Sequence, residues 1–183
     1  MSDLLLKRIG LLAEIASQKN GKQVRLGKTA MQKLLYLLQE AYHVPLDYRF
    51  SLYTYGPYDS QVMNDLDYAD AIGALAIHYD DKAGYNIEPG KQVDMIEPYR
   101  AEMMNEHGDT INRLTKDFGD LNARDLELRS TLFYIASEKD NVKTRHELAE
   151  RLKSIKPKYT DHDIQFGIDD LLEKGHLPES FST

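Results

Sequence analysis

Leu75-Ala76-Ile77-His78-Tyr79-Asp80-Asp81-Lys82-Ala83-Gly84-Tyr85-Asn86-Ile87-Glu88 reads as two short strands, Leu75 to Tyr79 and Gly84 to Glu88. The Asp80-Asp81-Lys82-Ala83 tetrad between them is turn-forming, because Asp bonds its own backbone and Gly84 accepts conformations other residues avoid. Upstream, Asp59 or Ser60 opens a helix that runs to Ala71, buries Val62, Leu66 and Ala69, and ends at Gly73. Before it, Asp47 to Tyr55 changes period. Tyr48, Phe50, Leu52 and Thr54 alternate with Arg49, Ser51, Tyr53 and Tyr55, which predicts a strand broken by Gly56-Pro57. Two helices precede that strand. Leu5, Ile9, Leu12 and Ile15 repeat at helical spacing and Asn20-Gly21 ends the first. The second carries Met31, Leu34, Leu35, Leu38 and Tyr42 on its apolar face, with Thr29 and Gln32 as a T-x-x-Q capping box and Lys28, Gln32 and Lys33 on or near the other side. Helix, helix, strand, helix, strand, turn, strand is the order of a winged helix-turn-helix, in which the last hairpin is the wing.

Beyond residue 90 the pattern is helical. Met95 to Asn105 and Thr110 to Phe118 read as two segments punctuated by Gly108 and Gly119. Leu126, Leu128, Leu132, Phe133, Ile135 and Ala136 mark a strongly apolar helix. Thr144 and Glu147 form a capping box for a helix that Pro157 stops, and Thr160 caps a third that Gly175 ends. The expected fold class is therefore mainly α with a small β component. It comprises a winged-helix-like module over 1–90, a helical connector over 91–122, and a trihelical, helix-turn-helix-like module over 123–183.

The 183 residues carry a net charge of −7 and no cysteine. The missing thiols remove disulfide scaffolds, thiolate zinc sites and cysteine nucleophiles. No apolar run is long enough for a membrane span, and Met1-Ser2-Asp3 does not open a secretion signal, so a cytoplasmic protein is expected. The charge is segregated. Residues 1–39 have seven basic and two acidic side chains, residues 40–127 seven and eighteen, and residues 128–183 nine and ten. The helix that would enter a DNA groove contains Asp59, Asp65, Asp67 and Asp70 and neither Lys nor Arg, so docking of nucleic acid through it is disfavoured. A charge dipole of this kind suits an oppositely charged protein partner, or a second copy of the chain.

Lys28-Thr29-Ala30-Met31-Gln32-Lys33-Leu34-Leu35-Tyr36-Leu37-Leu38-Gln39 resembles the L-Q-K-L-[LV]-Y-x-x-Q helix of the YwgA-like bacterial proteins, with Met31 where Leu is usual. Tyr53-Thr54-Tyr55-Gly56-Pro57-Tyr58 is similar to the Y-x-Y-G-P-Y block of the same group. Leu126-Glu127-Leu128, Thr131-Leu132-Phe133-Tyr134 and Ile155-Lys156-Pro157-Lys158-Tyr159 are similar to its C-terminal half. Over residues 1–90 the chain more distantly resembles the Panacea-domain, SocA-like antitoxins. That resemblance implies protein–protein binding by an antitoxin or adaptor, with a toxin among the candidate partners, and not catalysis.

The residues themselves point to binding. Four of the twelve tyrosines, Tyr48, Tyr53, Tyr55 and Tyr58, lie within eleven residues. Tyrosine presents a large amphipathic area at low entropic cost, which suits interfaces. At period two Tyr48 faces the core while Tyr53 and Tyr55 face the other way. The expected partner-binding set is Tyr53, Tyr55, Tyr58, Lys28, Gln32 and Lys33. Lys143, Arg145, Arg151, Lys153, Lys156 and Lys158 form a second basic group, a candidate for anion or nucleic-acid binding by a regulator. The six histidines are dispersed, with no pair at ligand spacing, and neither a metal nor a cofactor is expected. There is no G-x-S-x-G, Walker loop or G-x-G-x-x-G, and no spacing singles out an acid–base pair, so the reading is non-enzymatic.

Overall fold

In a computed structural model, which describes residues 3–138 and 142–182, the chain is mainly helical with two small antiparallel sheets. Helix α1 (Asp3–Lys19) and helix α2 (Lys28–Glu40) lead into a tight hairpin, β1 (Ser51–Tyr53) and β2 (Gly56–Tyr58). Helix α3 (Ser60–Ala71) and a second hairpin, β3 (Leu75–Asp80) and β4 (Gly84–Pro89), follow. Four helices complete the chain: α4 (Glu97–Phe118), α5 (Ala123–Ser137), α6 (Arg145–Ile155) and α7 (Asp161–Glu173).

Most of these elements are where local chemistry puts them. Asp59 caps α3 by accepting from the Gln61 N–H. Both halves of the capping box are made at Thr144 with Glu147, and a second box forms at Thr160 with Asp163. In the second hairpin Asp80 Oδ1 accepts from the Lys82 and Ala83 amides, which shapes the turn, and Ile77 pairs with Ile87.

Three expectations are corrected. The predicted strand over Asp47 to Tyr55 forms only at Ser51–Tyr53, and Gly56-Pro57 does not break it but starts the returning strand. Pro57 lies opposite Leu52. A proline has no N–H to give a ladder, so this pair is tolerated as one that the alternating antiparallel pattern leaves unbonded. The two predicted segments between 95 and 118 are one continuous helix. A glycine inside a helix costs about 1 kcal/mol, and packing of α4 along α1 outweighs Gly108. The two helices approach closely at Gly10, where a Cβ would sit 2.7 Å from the Arg100 backbone nitrogen. Finally, the Thr29/Gln32 box is not made: Gly27 occupies the N-cap position of α2 without a side-chain bond, and Gln32 bonds elsewhere.

One apolar core runs through the molecule. Ile9, Leu12, Leu35, Leu38, Leu66, Ile111, Leu114, Phe118, Leu132, Leu152 and Ile168 all belong to it. Helix α5 lies at its centre, against α2, β2, α6 and α7. The chain's end is tied back. Phe181 is buried, and the His176 ring lies 4.7 Å from that of Tyr42, whose hydroxyl donates to Asp117 Oδ2 at 2.6 Å. No helix of the described residues is long and apolar enough to cross a membrane.

Candidate functional site

The hairpin β1–β2 is where the expected partner-binding residues meet. Its turn, Thr54-Tyr55, is two residues long, and the flanking rings stand in solvent: Tyr53 is 66% and Tyr55 60% exposed. Tyr48, three residues before the strand, is buried as its period predicts, and its hydroxyl donates to Asp65 Oδ2 at 2.8 Å. Tyr58 is half-buried, with its ring 5.7 Å from that of Tyr53. Below these rings lies a mostly apolar cleft of about 210 Å³, lined by Lys28, Gln32, Lys33, Tyr53, Tyr55 and Tyr58, with Thr29, Gly56 and Met63. All six residues singled out from the sequence thus share one cavity, although they come from α2 and from a hairpin some 20 residues later.

The floor of the cleft differs from the sequence reading. Gln32 and Lys33 are not on a solvated face. Gln32 is 2% and Lys33 1% exposed. Gln32 clamps the start of α3: its Nε2 donates to the Asp59 carbonyl at 2.8 Å, and its Oε1 accepts from the Asp59 N–H. Lys33 Nζ donates to the Pro57 carbonyl at 2.6 Å, using the acceptor that the unbonded Leu52–Pro57 pair leaves free. Desolvation pushes the Lys33 ammonium down to about 8, opposed by the charge of Glu127 and reinforced by that of Lys156. Gly56 permits the close packing. Its φ is +87°, and a Cβ there would lie 2.8 Å from Thr131 Oγ1 and 3.4 Å from Lys33 Cε.

Behind Lys33 the hairpin is fastened to the C-terminal half. Glu127 on α5 is 3% exposed, and its two oxygens are both engaged, Oε1 with Lys156 and Oε2 with Lys158, each at 2.8 Å. Lys156 Nζ also donates to the Thr54 carbonyl in the hairpin turn. Lys158 Nζ lies 5.7 Å over the Tyr55 ring, within cation–π range. At the other rim Lys28 pairs with Asp67 at 2.8 Å and lies 4.9 Å over the Tyr85 ring. The partners of Lys156 lie 29 and 102 residues away along the chain, so no local pattern announces them. The only local signal for Glu127 is its place between Leu126 and Leu128.

Most of the second basic group is engaged within the fold. Arg145 is bound to Gln165 and Asp169. Lys153 donates to the Tyr159 carbonyl and to Asp161, and Lys156 and Lys158 are held by Glu127 as described. Arg151 borders a hollow it shares with Glu138, Glu147 and Glu150, and Lys143 is exposed. The acids of α3 are also occupied. Asp65 is buried 2.8 Å from Arg8 Nε, Asp59 caps the helix, Asp67 pairs with Lys28, and Asp70 accepts from the Ile77 amide. Among the described residues no group of three or more His, Asp or Glu is placed to hold a metal ion.

Chemically, the cleft offers tyrosine rings and hydroxyls at its mouth, apolar walls, and an ammonium at its base. No family model matches the chain, and no curated protein matches it.

Proposed function

We propose that this chain is a cytoplasmic protein-interaction module, not an enzyme. In this reading it joins a winged-helix-like N-terminal unit to a helix-turn-helix-like C-terminal one, and it resembles the YwgA-like proteins and, more distantly, the Panacea-domain antitoxins and adaptors. It binds a protein partner through the Tyr53–Tyr58 segment. The observation that carries the reading is the placement of Tyr53 and Tyr55: two large rings held in solvent on a two-residue turn that is anchored from below by Lys33 and Lys156. Exposed aromatics on a rigid support are what energetically dominant interface positions need, because little further ordering is lost on binding. The alternative, a nucleic-acid regulator using the basic C-terminal segment, draws less support, since Arg145, Lys153, Lys156 and Lys158 already have acidic or carbonyl acceptors.

The test is capture of a partner from the native cytoplasm by immobilised wild type and by a Tyr53→Ala/Tyr55→Ala variant. The double variant is expected to lose the captured protein and keep its helical circular dichroism. Equal capture by both overturns the assignment.

A further inference from the structure

Resting on that reading, we infer that the cleft beneath Tyr53 and Tyr55 receives a carboxylate from an acidic peptide segment of the protein partner, with Lys33 as its counter-ion. The argument starts from charge. Lys33, Lys156 and Lys158 surround one carboxylate, Glu127, and both oxygens of Glu127 are taken by Lys156 and Lys158. Lys33 has no carboxylate within 4.0 Å among the described residues; its hydrogen bond goes to a neutral carbonyl, that of Pro57. A buried ammonium hydrogen-bonded to a neutral acceptor, and sharing one carboxylate's field with two other lysines, is a costly arrangement, and an anion beside it recovers much of that cost. Lys33 is among the residues that line the cavity, and since it is only 1% exposed, the anion would reach it by displacing the Pro57 carbonyl from its ammonium.

The remaining lining selects what carries the anion. The walls are tyrosine rings, Pro57's neighbour Gly56 and Met63, and the cleft has no arginine. Dianionic phosphate is usually held by several convergent donors or a bidentate guanidinium, and this cleft supplies neither. A single carboxylate beside apolar side chains matches one ammonium and apolar walls. The rims extend the match beyond a small molecule: Tyr53 and Tyr55 line the cleft yet keep most of their surface in solvent for a peptide to cover, and Lys28 and Lys158, although paired with Asp67 and Glu127, add positive charge nearby.

The experiment is an NMR titration of the ¹⁵N-labelled full chain with four capped peptides at up to millimolar concentration. They are acetyl-Leu-Glu-Leu amide, acetyl-Leu-Gln-Leu amide, acetyl-Leu-Gln-Leu free acid, and acetyl-Leu-phosphoserine-Leu amide. Expected are shifts at the Tyr53, Gly56 and Lys33 amides and at least tenfold tighter binding of the glutamate peptide than of its neutral glutamine counterpart. In Lys33→Met that preference falls to less than twofold. A free acid that matches the glutamate peptide identifies a chain terminus as the source of the carboxylate, and one that behaves like the neutral peptide identifies an acidic side chain. Either supports the inference. It is overturned if the glutamine peptide binds as well as the glutamate peptide, if none binds, or if the phosphoserine peptide binds tighter and inorganic phosphate displaces it. Concentration-dependent broadening of the same amides without peptide, assigning the cleft to a second copy, also overturns it. The wild-type comparison stands alone should Lys33→Met fail to fold. A wild type that shows no charge preference, or a folded Lys33→Met that keeps it, sinks this inference and, with partner capture intact, spares the interaction reading; the Tyr53→Ala/Tyr55→Ala capture decides that reading separately.

Discussion

Replacing Lys33 by Met tests the energetics at the base of the cleft. Burial lowers the Lys33 ammonium from its ordinary value near 10.5 to about 8. At about 1.4 kcal/mol per pH unit, that displacement places roughly 3 kcal/mol against the charged form in the folded state at pH 7. Methionine has nearly the same reach and no charge. Its own cost is the loss of the bond to the Pro57 carbonyl, about 1–3 kcal/mol for an acceptor left buried and unpaired. Lys33→Met is therefore expected to be between neutral and about 2 kcal/mol more stable than wild type at pH 7, as seen when buried charges give way to apolar residues of similar volume. The pH dependence is the sharper part. The folded-state value is lowered, so the penalty is complete below about 8 and is lifted as pH rises from 8 toward 10.5. Over that window the unfolded chain still holds a proton that the folded chain has released. Wild type should gain about 2–3 kcal/mol on the variant between pH 7 and pH 10. Urea unfolding of both proteins at each pH reads this directly, and ionisation of the tyrosines, common to both, cancels in the difference. A stability difference constant to within about 0.5 kcal/mol across that range would refute the reasoning, because it would mean that the ammonium is solvated or already neutralised.

Three further outcomes follow from the geometry. Gly56→Ala places a Cβ in a left-handed conformation and against Thr131, so about 2–4 kcal/mol of stability should be lost in denaturant unfolding; a loss under 0.5 kcal/mol would show that the hairpin is not pressed onto α5. Glu127→Gln leaves Lys33, Lys156 and Lys158 with no carboxylate among them and should cost about 3 kcal/mol, read as a lowered melting temperature; an unchanged melting temperature would contradict a desolvated cluster. His176 is half-buried against Tyr42 and Phe118, near Asp117, Arg113, Lys174 and Asp170, and burial holds its imidazole below the ordinary value of 6.5. Its effect on stability is absent above pH 6.5 and grows as pH falls, because the unfolded chain then takes up a proton that the folded one resists. A His176→Phe variant should accordingly lose less stability than wild type between pH 7 and pH 5, and parallel profiles would refute this.

The parts of the fold visible in the sequence are those governed by neighbours a few residues apart. Asp59, Thr144 and Thr160 cap the helices they precede, and the Asp80 turn closes its hairpin, because each interaction spans two to four positions. The burial of Tyr48 and the exposure of Tyr53 follow from period two, whereas Tyr55 is exposed because it lies in the turn. What failed to show is long-range. Gln32 and Lys33 look like a polar face because their acceptors, Asp59 and Pro57, are 27 and 24 residues away. A buried lysine with a distant carbonyl and a solvated one leave the same trace in a hydropathy pattern. Likewise Gly108 suggests a break between two helices, since packing along α1 has no local signature, whereas Gly119 does end the helix as it reads.

The seam joining Lys33, Pro57, Glu127, Lys156 and Thr54 also constrains how this sequence can drift. Thr54 and Pro57 contribute only main-chain carbonyls, but Glu127, Lys156 and Gly56 depend on one another. Changing Glu127 strands two ammonium groups, changing Lys156 empties one side of that carboxylate, and changing Gly56 forces the hairpin off both. Single changes at Gly56, Glu127 or Lys156 each pass through a destabilised intermediate, while compensated double steps need not; Lys33, whose charge burial already disfavours, is the exception. Positions 56, 127 and 156 should therefore change together or not at all in descendants of this chain, whereas the exposed Tyr53 and Tyr55 are freer to follow the partner.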